Sequence, residues 1–418
     1  MSGLDLRAKR PHGPDTDSAP PPGQTAPQRE LKVLCVFGTR PELIKFLPVL
    51  RALDHRQGVT PVAVLTSQHT DLIRPLIQLW NIRIDHDLEA MVHGQSLNSL
   101  MARIIQRLDE VLDRERPDIV LVQGDTTSAL AGAMAAWNRQ IAVGHIEAGL
   151  RSGSRESPFP EEMNRRLVTG LAQLHFAPTD RNVATLLAEG VRPEHVLHTG
   201  NPVVDAVELV RRQQEPSPEI RNLLARVAGR RVILLTTHRR ESFGAVMRER
   251  LRVLRSFVQE RPDVSLIFPV HANPAVAKMA AEELGGVPRV HLLEPLSYPD
   301  FLHCLAAAWL VVSDSGGVQE EAPSLGKPLL ILRENTERPE TVDCGIARLV
   351  GASPDRLRDA LLEAEMPGSW AARVRPVDNP FGKGDSAARI VEAIMAWSGS
   401  AGSNAESVEM PAVEVSQA

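Results

Sequence analysis

The segment 313–317, which is rich in glycine and serine, has the residue types of an anion-binding turn. The apolar residues 309–312 before it predict a buried strand, and a helix is expected to begin after Gly317. Glycines let a ligand approach the backbone, and a helix N-terminus favours an anion, so the turn 313–317 is a candidate diphosphate site. One helical turn later, Glu320 or Glu321 is placed to accept hydrogen bonds from ribose hydroxyls. The alternative is an ordinary strand-to-helix turn whose acidic residues complement the helix dipole.

Three carboxyl residues follow apolar, strand-like runs in the first half of the chain. Asp125 follows the run 119–122, where capping of the next helix is the default explanation. Glu147 follows the run 141–146 directly, and a capping role explains it less well. Glu161 stands with Glu162 at a predicted helix start, where charges that complement the helix dipole are common. Because parallel strands end at one edge of a sheet, the three carboxyl groups together predict acid–base chemistry at one centre.

Cationic side chains occur at other predicted strand ends. Arg40 and Lys45 lie beside a predicted helix start and suit a phosphate, although a solvated helix face is the simpler interpretation. His238 follows the run 232–235 beside two arginines and is either a structural histidine or a donor to a phosphate. The charged stretch 333–340 is typical of a solvated loop, but it too follows a buried strand.

The elements that must position these residues alternate between short apolar runs and longer helical patterns. This alternation occurs twice and predicts an α/β fold with two doubly wound, Rossmann-like domains that face each other across a cleft. The predicted strands are 33–37, 62–65, 119–122, 141–146, 174–177, 232–235, 264–268, 290–293, 310–312 and 329–332, and the helical stretches between them include 97–114, 127–138 and 248–259.

Composition and local sequence divide the chain further. A length of 418 residues predicts two domains, since single cores rarely grow past about 250–300 residues. Residues 1–29 are expected to be a disordered leader, 30–210 the first domain, 211–218 a linker, 219–385 the second domain and 399–418 a disordered tail.

Other functional classes are disfavoured by the composition. A net charge of -5 gives no support for binding nucleic acid or an acidic membrane surface. Cys35, Cys304 and Cys344 form no CxxC pair, so free thiols in a reducing compartment, and a cytoplasmic location, are expected. No run is long enough to span a membrane, and no dinucleotide glycine motif, Walker A motif or metal-binding pattern occurs, so neither cofactor nor metal is predicted.

A set of short motifs occurs in order along the chain. They are GTRPELIK (38–45), QH (68–69), QGDTTS (123–128), HIEAGLRS (145–152), PEEMNR (160–165), GNPVVD (200–205), THRRE (237–241), EPLSYPDF (294–301), SDSGGVQEE (313–321), LGKP (325–328) and TERPE (336–340). Together they resemble one family, the non-hydrolysing UDP-N-acetylglucosamine 2-epimerases of bacteria. The resemblance covers residues 33–397, nearly the whole predicted folded part.

The resemblance implies a GT-B fold, whose last helix, 386–398, crosses back to the first domain. It also implies a homodimer that serves cell-surface polysaccharide biosynthesis, and roles for individual residues. Glu321 is implied to bind the ribose, Phe301 and the backbone of Leu296 the uracil. The implied diphosphate contacts are Arg40, His238, Ser315, Gly316 and Gly317, with Lys45 and Arg338 as further ligand contacts, and the implied catalytic groups are Asp125, Glu147 and Glu161 together with His238.

The implied reaction is reversible epimerisation at C2 through elimination of UDP. The C2 proton is not adjacent to a carbonyl, so epimerisation needs either transient oxidation or temporary loss of the C1 substituent, and the chain has no nicotinamide motif. Elimination gives a 2-acetamidoglucal, to which UDP adds back. The alternatives are a hydrolysing 2-epimerase, a GT-B glycosyltransferase, or a nucleotide-sugar sensor without activity; the presence of all three carboxyl groups argues against the last.

Some positions depart from the family pattern. Ser67, Ser242 and Phe381 stand where relatives commonly have Gly, Asn and Tyr. Many relatives also bind a second UDP-N-acetylglucosamine as an activator near the Gln-His motif. Gln68 and His69 are therefore candidate allosteric residues, while Ser67 and Gly94 leave that regulation open.

Overall fold

The computed structural model describes residues 30–69, 73–237, 244–376 and 379–401. The predicted leader 1–29, His238 and residues 402–418 of the predicted tail lie outside these ranges. Two parallel sheets with helices between their strands form the described part, which confirms the predicted α/β fold class.

The strands of the first sheet run in the order β3-β2-β1-β4-β5-β6-β7. Their apolar runs are nearly continuous because helices cover both faces of a parallel sheet. Their bounds are β1 (Leu31–Phe37), β2 (Val59–Leu65), β3 (His86–Asp87), β4 (Ile119–Gln123), β5 (Ala142–Ile146), β6 (Leu174–Ala177) and β7 (Val196–His198).

The second sheet has the order β10-β9-β8-β11-β12-β13, and both orders are those of a Rossmann fold, apart from an added seventh strand in the first sheet. In each sheet the order reverses between two central strands, at β1/β4 and at β8/β11. The bounds are β8 (Arg231–Thr236), β9 (Val264–Pro269), β10 (Val290–Leu293), β11 (Leu310–Ser313), β12 (Leu329–Ile331) and β13 (Ala347–Leu349).

The helices that precede the second sheet cover the first sheet or connect the two. They are α1 (Arg40–Asp54), α2 (Arg74–Leu79), α3 (Leu97–Glu115), α4 (Thr127–Asn138), α5 (Glu161–Leu171), α6 (Asp180–Ala188), α7 (Pro202–Gln213) and α8 (Pro218–Arg226). The later helices are α9 (Ala245–Glu260), α10 (Pro274–Leu284), α11 (Tyr298–Ala307), α12 (Gly316–Ser324), α13 (Glu340–Asp343), α14 (Pro354–Glu365), α15 (Trp370–Arg373) and α16 (Ser386–Ala401).

All ten predicted strands are present, and three short strands were missed. The missed strands are β3, β7 and β13, each of two or three residues, and each is the terminal strand of its sheet. Each contains a histidine or an arginine and is only partly buried, so no apolar run marks it. Short, polar edge strands of this kind protect a sheet from pairing with another chain.

The connection between the halves is shorter than the predicted linker 211–218. Helix α7 continues to Gln213 and α8 begins at Pro218, so only residues 214–217 lie outside the helices. The last helix, α16, packs on α1 and α7 of the first half. Asp205 of α7 accepts hydrogen bonds from the N–H groups of Ser386 at 3.3 Å and Ala387 at 3.1 Å, which fixes the start of α16.

The hydrophobic core is shared between the halves. One cluster joins buried residues of the first sheet, such as Phe37, to buried residues of the second, such as Val311. Phe381, at a departure from the family pattern, belongs to the same cluster and is 3% exposed. Cys35 and Cys304 are buried free thiols as predicted, and Cys344 is exposed. No helix of the described residues is both long and apolar enough to cross a bilayer.

Candidate active site

The turn between β11 and α12 has the predicted strand–turn–helix geometry. Ser315 caps α12, and its hydroxyl accepts a hydrogen bond from the N–H of Val318 at 3.5 Å. The helix was predicted to begin after Gly317, but it begins two residues earlier, at Gly316. The first N–H groups of a helix have no partner within it, so those of Gly316 and Gly317 can bind an anion.

The two adjacent glutamates of α12 have different neighbours. A side-chain carbon added at Gly317 would lie 4.0 Å from Oε1 of Glu321, so the carboxyl group of Glu321 borders the turn. Burial raises the pKa of Glu321 to about 7, while the nearby Tyr298 and Arg40 favour its charged form. Glu320 instead pairs with cations and is 1% exposed. Of the two predicted ribose ligands, Glu321 is the one beside the anion-binding turn.

Four charged side chains meet where the two halves join. Nζ of Lys45 in α1 lies 2.5 Å from Oε1 of Glu147 and 2.8 Å from Oε2 of Glu320 in α12. The guanidinium of Arg338 pairs with Glu320 and lies 3.8 Å from Oε1 of Glu147. These four residues are called the charge ring below. Their side chains are at most 11% exposed, so water screens them little.

Glu147 directly follows β5, as the sequence predicted, and has a positive φ of 67°. Such a backbone conformation is uncommon for a residue other than glycine and is often found at functional sites. Its Oε2 atom accepts a hydrogen bond from the side-chain amide of Gln123 at the end of β4. Burial disfavours its charged form, but Lys45 and Arg338 hold the pKa of Glu147 below its usual value.

Asp125 lies in the turn between β4 and α4 but does not cap α4. Thr126 is the cap, since its hydroxyl accepts a hydrogen bond from the N–H of Ala129 at 3.1 Å. The cap interpretation was therefore wrong: two candidate cap residues are adjacent, and the threonine is the one in position. The carboxylate of Asp125 instead pairs with Arg165 in α5.

Glu161 begins α5, so its predicted place at a helix start is confirmed. Burial raises the pKa of Glu161, and the charges of Asp125 and Glu337 add to the effect. A side-chain carbon added at Gly124, next to Asp125, would lie 3.5 Å from Oε2 of Glu147. The three carboxyl groups predicted from separate strand ends therefore lie in one region.

The neighbouring Glu162 has a structural role. It is fully buried and accepts hydrogen bonds from Arg165, Arg166 and the N–H of Ser152.

The remaining predicted contacts lie around this region. Arg40 is exposed at the first position of α1, close enough to influence Glu321 and Tyr298 electrostatically. Phe301 in α11 and Leu296 before it are half-buried against the shared core. Gln68 accepts hydrogen bonds from the backbone N–H and hydroxyl of Ser128 at 3.1 and 2.8 Å, while His69 is exposed. His238 lies outside the described residues.

Sequence reasoning missed several partners of the site residues. Arg165 pairs with Asp125, and Glu337 pairs with Arg338. Gln123 donates a hydrogen bond to Glu147, and Tyr298 lies beside Glu321. Each of them falls within a matched motif, and the spacing of Glu162 and Arg165 is typical of neighbours on a helix. Within the described residues, no group of three or more His, Cys, Asp or Glu side chains could hold a metal ion.

This arrangement places an anion-binding helix start in one half opposite buried carboxyl groups in the other. It can hold a phosphorylated ligand while groups on the facing half exchange protons with it.

Comparison with known proteins points to one family. A sequence model described as UDP-N-acetylglucosamine 2-epimerase matches residues 51–395. A probable UDP-N-acetylglucosamine 2-epimerase from Ralstonia solanacearum is 44% identical over 371 residues, which cover 88% of this chain and 99% of that protein. The UDP-N-acetylglucosamine 2-epimerase of Bacillus subtilis is 41% identical over 367 residues, or 88% of this chain and 96% of the relative.

A solved structure shows the same fold. The UDP-GlcNAc 2-epimerase from Neisseria meningitidis, bound to UDP-GlcNAc, has a TM-score of 0.80 and 39% identity, with coverage of 88% of this chain and 100% of the other. The fold is therefore of the GT-B type, with two Rossmann-like sheets on either side of a cleft.

Proposed function

This chain belongs to the UDP-N-acetylglucosamine 2-epimerase family, and from that membership we propose that it interconverts UDP-N-acetylglucosamine and UDP-N-acetylmannosamine without hydrolysing either. The observation that carries the proposal is the meeting of the two halves at the site. The anion-binding start of α12 and Arg338 come from the second half, and Lys45 and Glu147 from the first, with Nζ of Lys45 only 2.8 Å from Glu320.

The proposed reaction proceeds by elimination and re-addition. A carboxylate removes the C2 proton, the C2–H electrons form a C1–C2 double bond, and the C1–O bond breaks to release UDP. The intermediate is 2-acetamidoglucal. In the second step an oxygen of UDP adds back to C1 while an acid delivers a proton to the opposite face of C2. Electrons balance without an oxidant, so no nicotinamide is needed.

The proton transfers are assigned to Asp125, Glu147 and Glu161. The pKa of Glu161 is raised by burial, which suits a proton donor. The pKa of Glu147 is held low by Lys45 and Arg338, which suits a group that stays ionised. Environments that push the pKa values of two carboxyl groups apart are expected of an acid–base pair.

The nucleotide is assigned to the second half and the first turn of α1. The N–H groups at the start of α12 neutralise charge that develops on the departing diphosphate, with help from cationic side chains. Glu321 accepts hydrogen bonds from the ribose, and Phe301 with the backbone of Leu296 borders the uracil. The proposed diphosphate contacts are Arg40, His238, Ser315, Gly316 and Gly317, and Lys45 and Arg338 complete the ligand contacts.

Further assignments follow from the family. We propose domains at 30–210 and 219–385, with helix 386–398 crossing back to the first domain. We also propose a cytoplasmic homodimer that supplies cell-surface polysaccharide synthesis. A second UDP-N-acetylglucosamine near Gln68 and His69 is the proposed activator.

One experiment separates the main proposal from its alternatives. UDP-N-acetylglucosamine is incubated with the pure protein in heavy water, without an acceptor, and followed by NMR. The manno epimer still bearing UDP, with deuterium at C2 and no response to added NAD, is the expected result. Free N-acetylmannosamine with UDP would show a hydrolysing enzyme instead. An unchanged substrate, or epimerisation that requires NAD, would overturn the proposal.

A further inference from the structure

We propose that Glu320 is a positioning residue that couples the approach of the two halves to the charge environment of Glu147. The inference rests on the proposed function, because it gives that reaction a further residue. Glu320 is assigned no contact with substrate. It acts through Lys45 and Arg338, the two cations that flank Glu147.

The charge ring closes across the junction between the halves. Lys45 and Glu147 belong to the first half and form a pair at 2.5 Å. Glu320 and Arg338 belong to the second half and form another pair. Two contacts join these pairs across the junction, Lys45 to Glu320 at 2.8 Å and Arg338 to Glu147 at 3.8 Å. Charges therefore alternate around the ring, and each carboxylate faces two cations.

This connectivity lets the halves separate without leaving a lone buried charge. When the two cross contacts break, Lys45 stays paired with Glu147 in the first half. In the second half Arg338 stays paired with Glu320 and with Glu337. An uncompensated buried charge would be strongly destabilising. Glu320 thus makes opening of the junction possible at low cost, and makes its closure reversible.

Glu320 also allows the two cations to come together. Arg338 disfavours the charged form of Lys45, and Glu147 and Glu320 offset this repulsion. Glu337 also pairs with Arg338, but it is shared with Arg333. Without the charge of Glu320, the second half would therefore bring a net positive charge next to Lys45. The two cations would then compete for Glu147, and the position of its carboxylate would change.

Stability alone does not account for a carboxylate at this position. Glu320 is 1% exposed, and a buried ion pair is often replaced by apolar residues without loss of stability.

The backbone of α12 leaves room for the contact between Glu320 and Arg338. A side-chain carbon on Gly316, one turn earlier in α12, would lie 3.1 Å from Nη1 of Arg338. The absence of a side chain at Gly316 therefore leaves room for Arg338 to reach Glu320 across the first turn of the helix.

The test compares two substitutions that separate charge from shape. Glu320→Gln keeps the shape and removes the charge, whereas Glu320→Asp keeps the charge and shortens the side chain. Because misplacement of a reacting group by about 1 Å can cost on the order of a hundredfold, we expect Glu320→Gln to lower kcat by about that factor. Glu320→Asp should recover part of kcat. A role in packing alone would give the opposite order.

Affinity for UDP is the second measurement. Loss of a negative charge beside Lys45 and Arg338 should leave the dissociation constant of UDP unchanged or lower it. In Glu320→Gln, kcat should therefore fall while the affinity for UDP does not. Retained UDP binding also shows that each variant is folded.

Glu340→Gln is the matched control. Glu340 accepts a hydrogen bond from the Thr179 hydroxyl of the first half at 2.7 Å and lies 4.0 Å from Nε of Arg181, so this variant removes the negative charge from a contact between the halves outside the charge ring. Its kcat should fall much less than that of Glu320→Gln.

The outcomes discriminate clearly. Three outcomes would overturn the inference and leave the proposed function standing. They are wild-type turnover in Glu320→Gln, greater activity of Glu320→Gln than of Glu320→Asp, and a loss of kcat in Glu340→Gln equal to that in Glu320→Gln. A wild-type protein without epimerase activity would contradict the proposed function and remove the coupling with it.

Discussion

The guanidinium of Arg165 holds the carboxylate of Asp125 through two N–H groups, at 2.8 Å from Nε and 2.7 Å from Nη2. The side-chain amide of Asn164 donates to the backbone carbonyl of Asp125 at 2.8 Å. Both Arg165 and Asn164 lie on α5, the helix that Glu161 begins. One helix therefore sets the positions of two of the three proposed catalytic groups relative to each other.

This relationship leads to the first prediction. Asp125→Asn, Glu147→Gln and Glu161→Gln should each lower kcat by at least about a hundredfold, because acid–base groups typically contribute that much. UDP affinity, measured by calorimetry, should persist, since the proposed nucleotide contacts lie mainly in the other half. Asp109→Asn is the control, an exposed carboxylate paired with Arg139 on the surface. Full activity in the Asp125 and Glu147 variants would remove these residues from the mechanism and leave the fold assignment intact.

The second prediction concerns the start of α12. A side-chain carbon at Gly317 would meet only Ser315 and Glu321, at 3.9 and 4.0 Å, so Gly317→Ala should fold without strain. The methyl group would still occupy the approach of a diphosphate to the backbone, and UDP should bind more weakly. Gly316→Ala should weaken binding as well, since its methyl group would crowd Arg338.

Glu321→Ala removes the proposed hydrogen-bond acceptor for the ribose hydroxyls, so this variant should also bind UDP more weakly in calorimetry. Gly170→Ala is a suitable control for the glycine variants, because an added carbon there meets no atom within 4 Å. Unchanged UDP affinity in Gly316→Ala and Glu321→Ala together would show that the nucleotide is placed wrongly.

A third prediction tests how α16 is held on the first half. Asp205→Ala removes the acceptor for the N–H groups of Ser386 and Ala387, which is equivalent to loss of a helix cap. The free energy of unfolding in urea should fall by about 1 kcal/mol. Asp205→Asn retains a side-chain oxygen and should lose less. Equal stability of wild type and Asp205→Ala would mean that packing alone holds α16.

The fourth prediction concerns acid stability. His145 and His175 are buried on adjacent strands, and their Cα atoms pair in register. Burial lowers the pKa of His145 to about 4 and that of His175 to about 3, so the folded protein keeps both neutral. The unfolded chain binds protons already near pH 6.5. Stability from these histidines is therefore present above pH 6.5 and is lost as the pH falls toward 3.

Between pH 7 and pH 4 the loss should be on the order of 3 kcal/mol for each histidine. Denaturant unfolding at pH 7 and pH 4 measures it. In His175→Gln the difference between the two pH values should be smaller than in the wild type. Carboxyl groups also titrate in this range, but they are common to both proteins and cancel in the comparison. The same pH dependence in wild type and variant would contradict the prediction.

Local chemistry was sufficient to predict much of this molecule. The ten predicted strands were recognisable because a strand covered by helices on both faces needs a nearly continuous apolar run. The turn 313–317 was recognisable because close approach to a backbone requires glycine. Glu147 stood out as a lone acidic residue directly after a buried strand. The three short edge strands carried no such pattern, and the end of α7 could not be told from a linker because both are polar.

The sequence by itself determined the fold class, the family and the residue types available to the site. These depend on short-range properties, namely apolar periodicity, turn chemistry and ordered motifs. Only the tertiary structure decided which charges are paired: that Arg165 holds Asp125, that Thr126 rather than Asp125 caps α4, and that Glu320 rather than Glu321 joins Lys45. The reason is that these contacts either form between segments distant in sequence or depend on which of two adjacent, chemically suitable residues is in position. Burial and these pairings together determine which of the groups are charged, and both are properties of the packed chain.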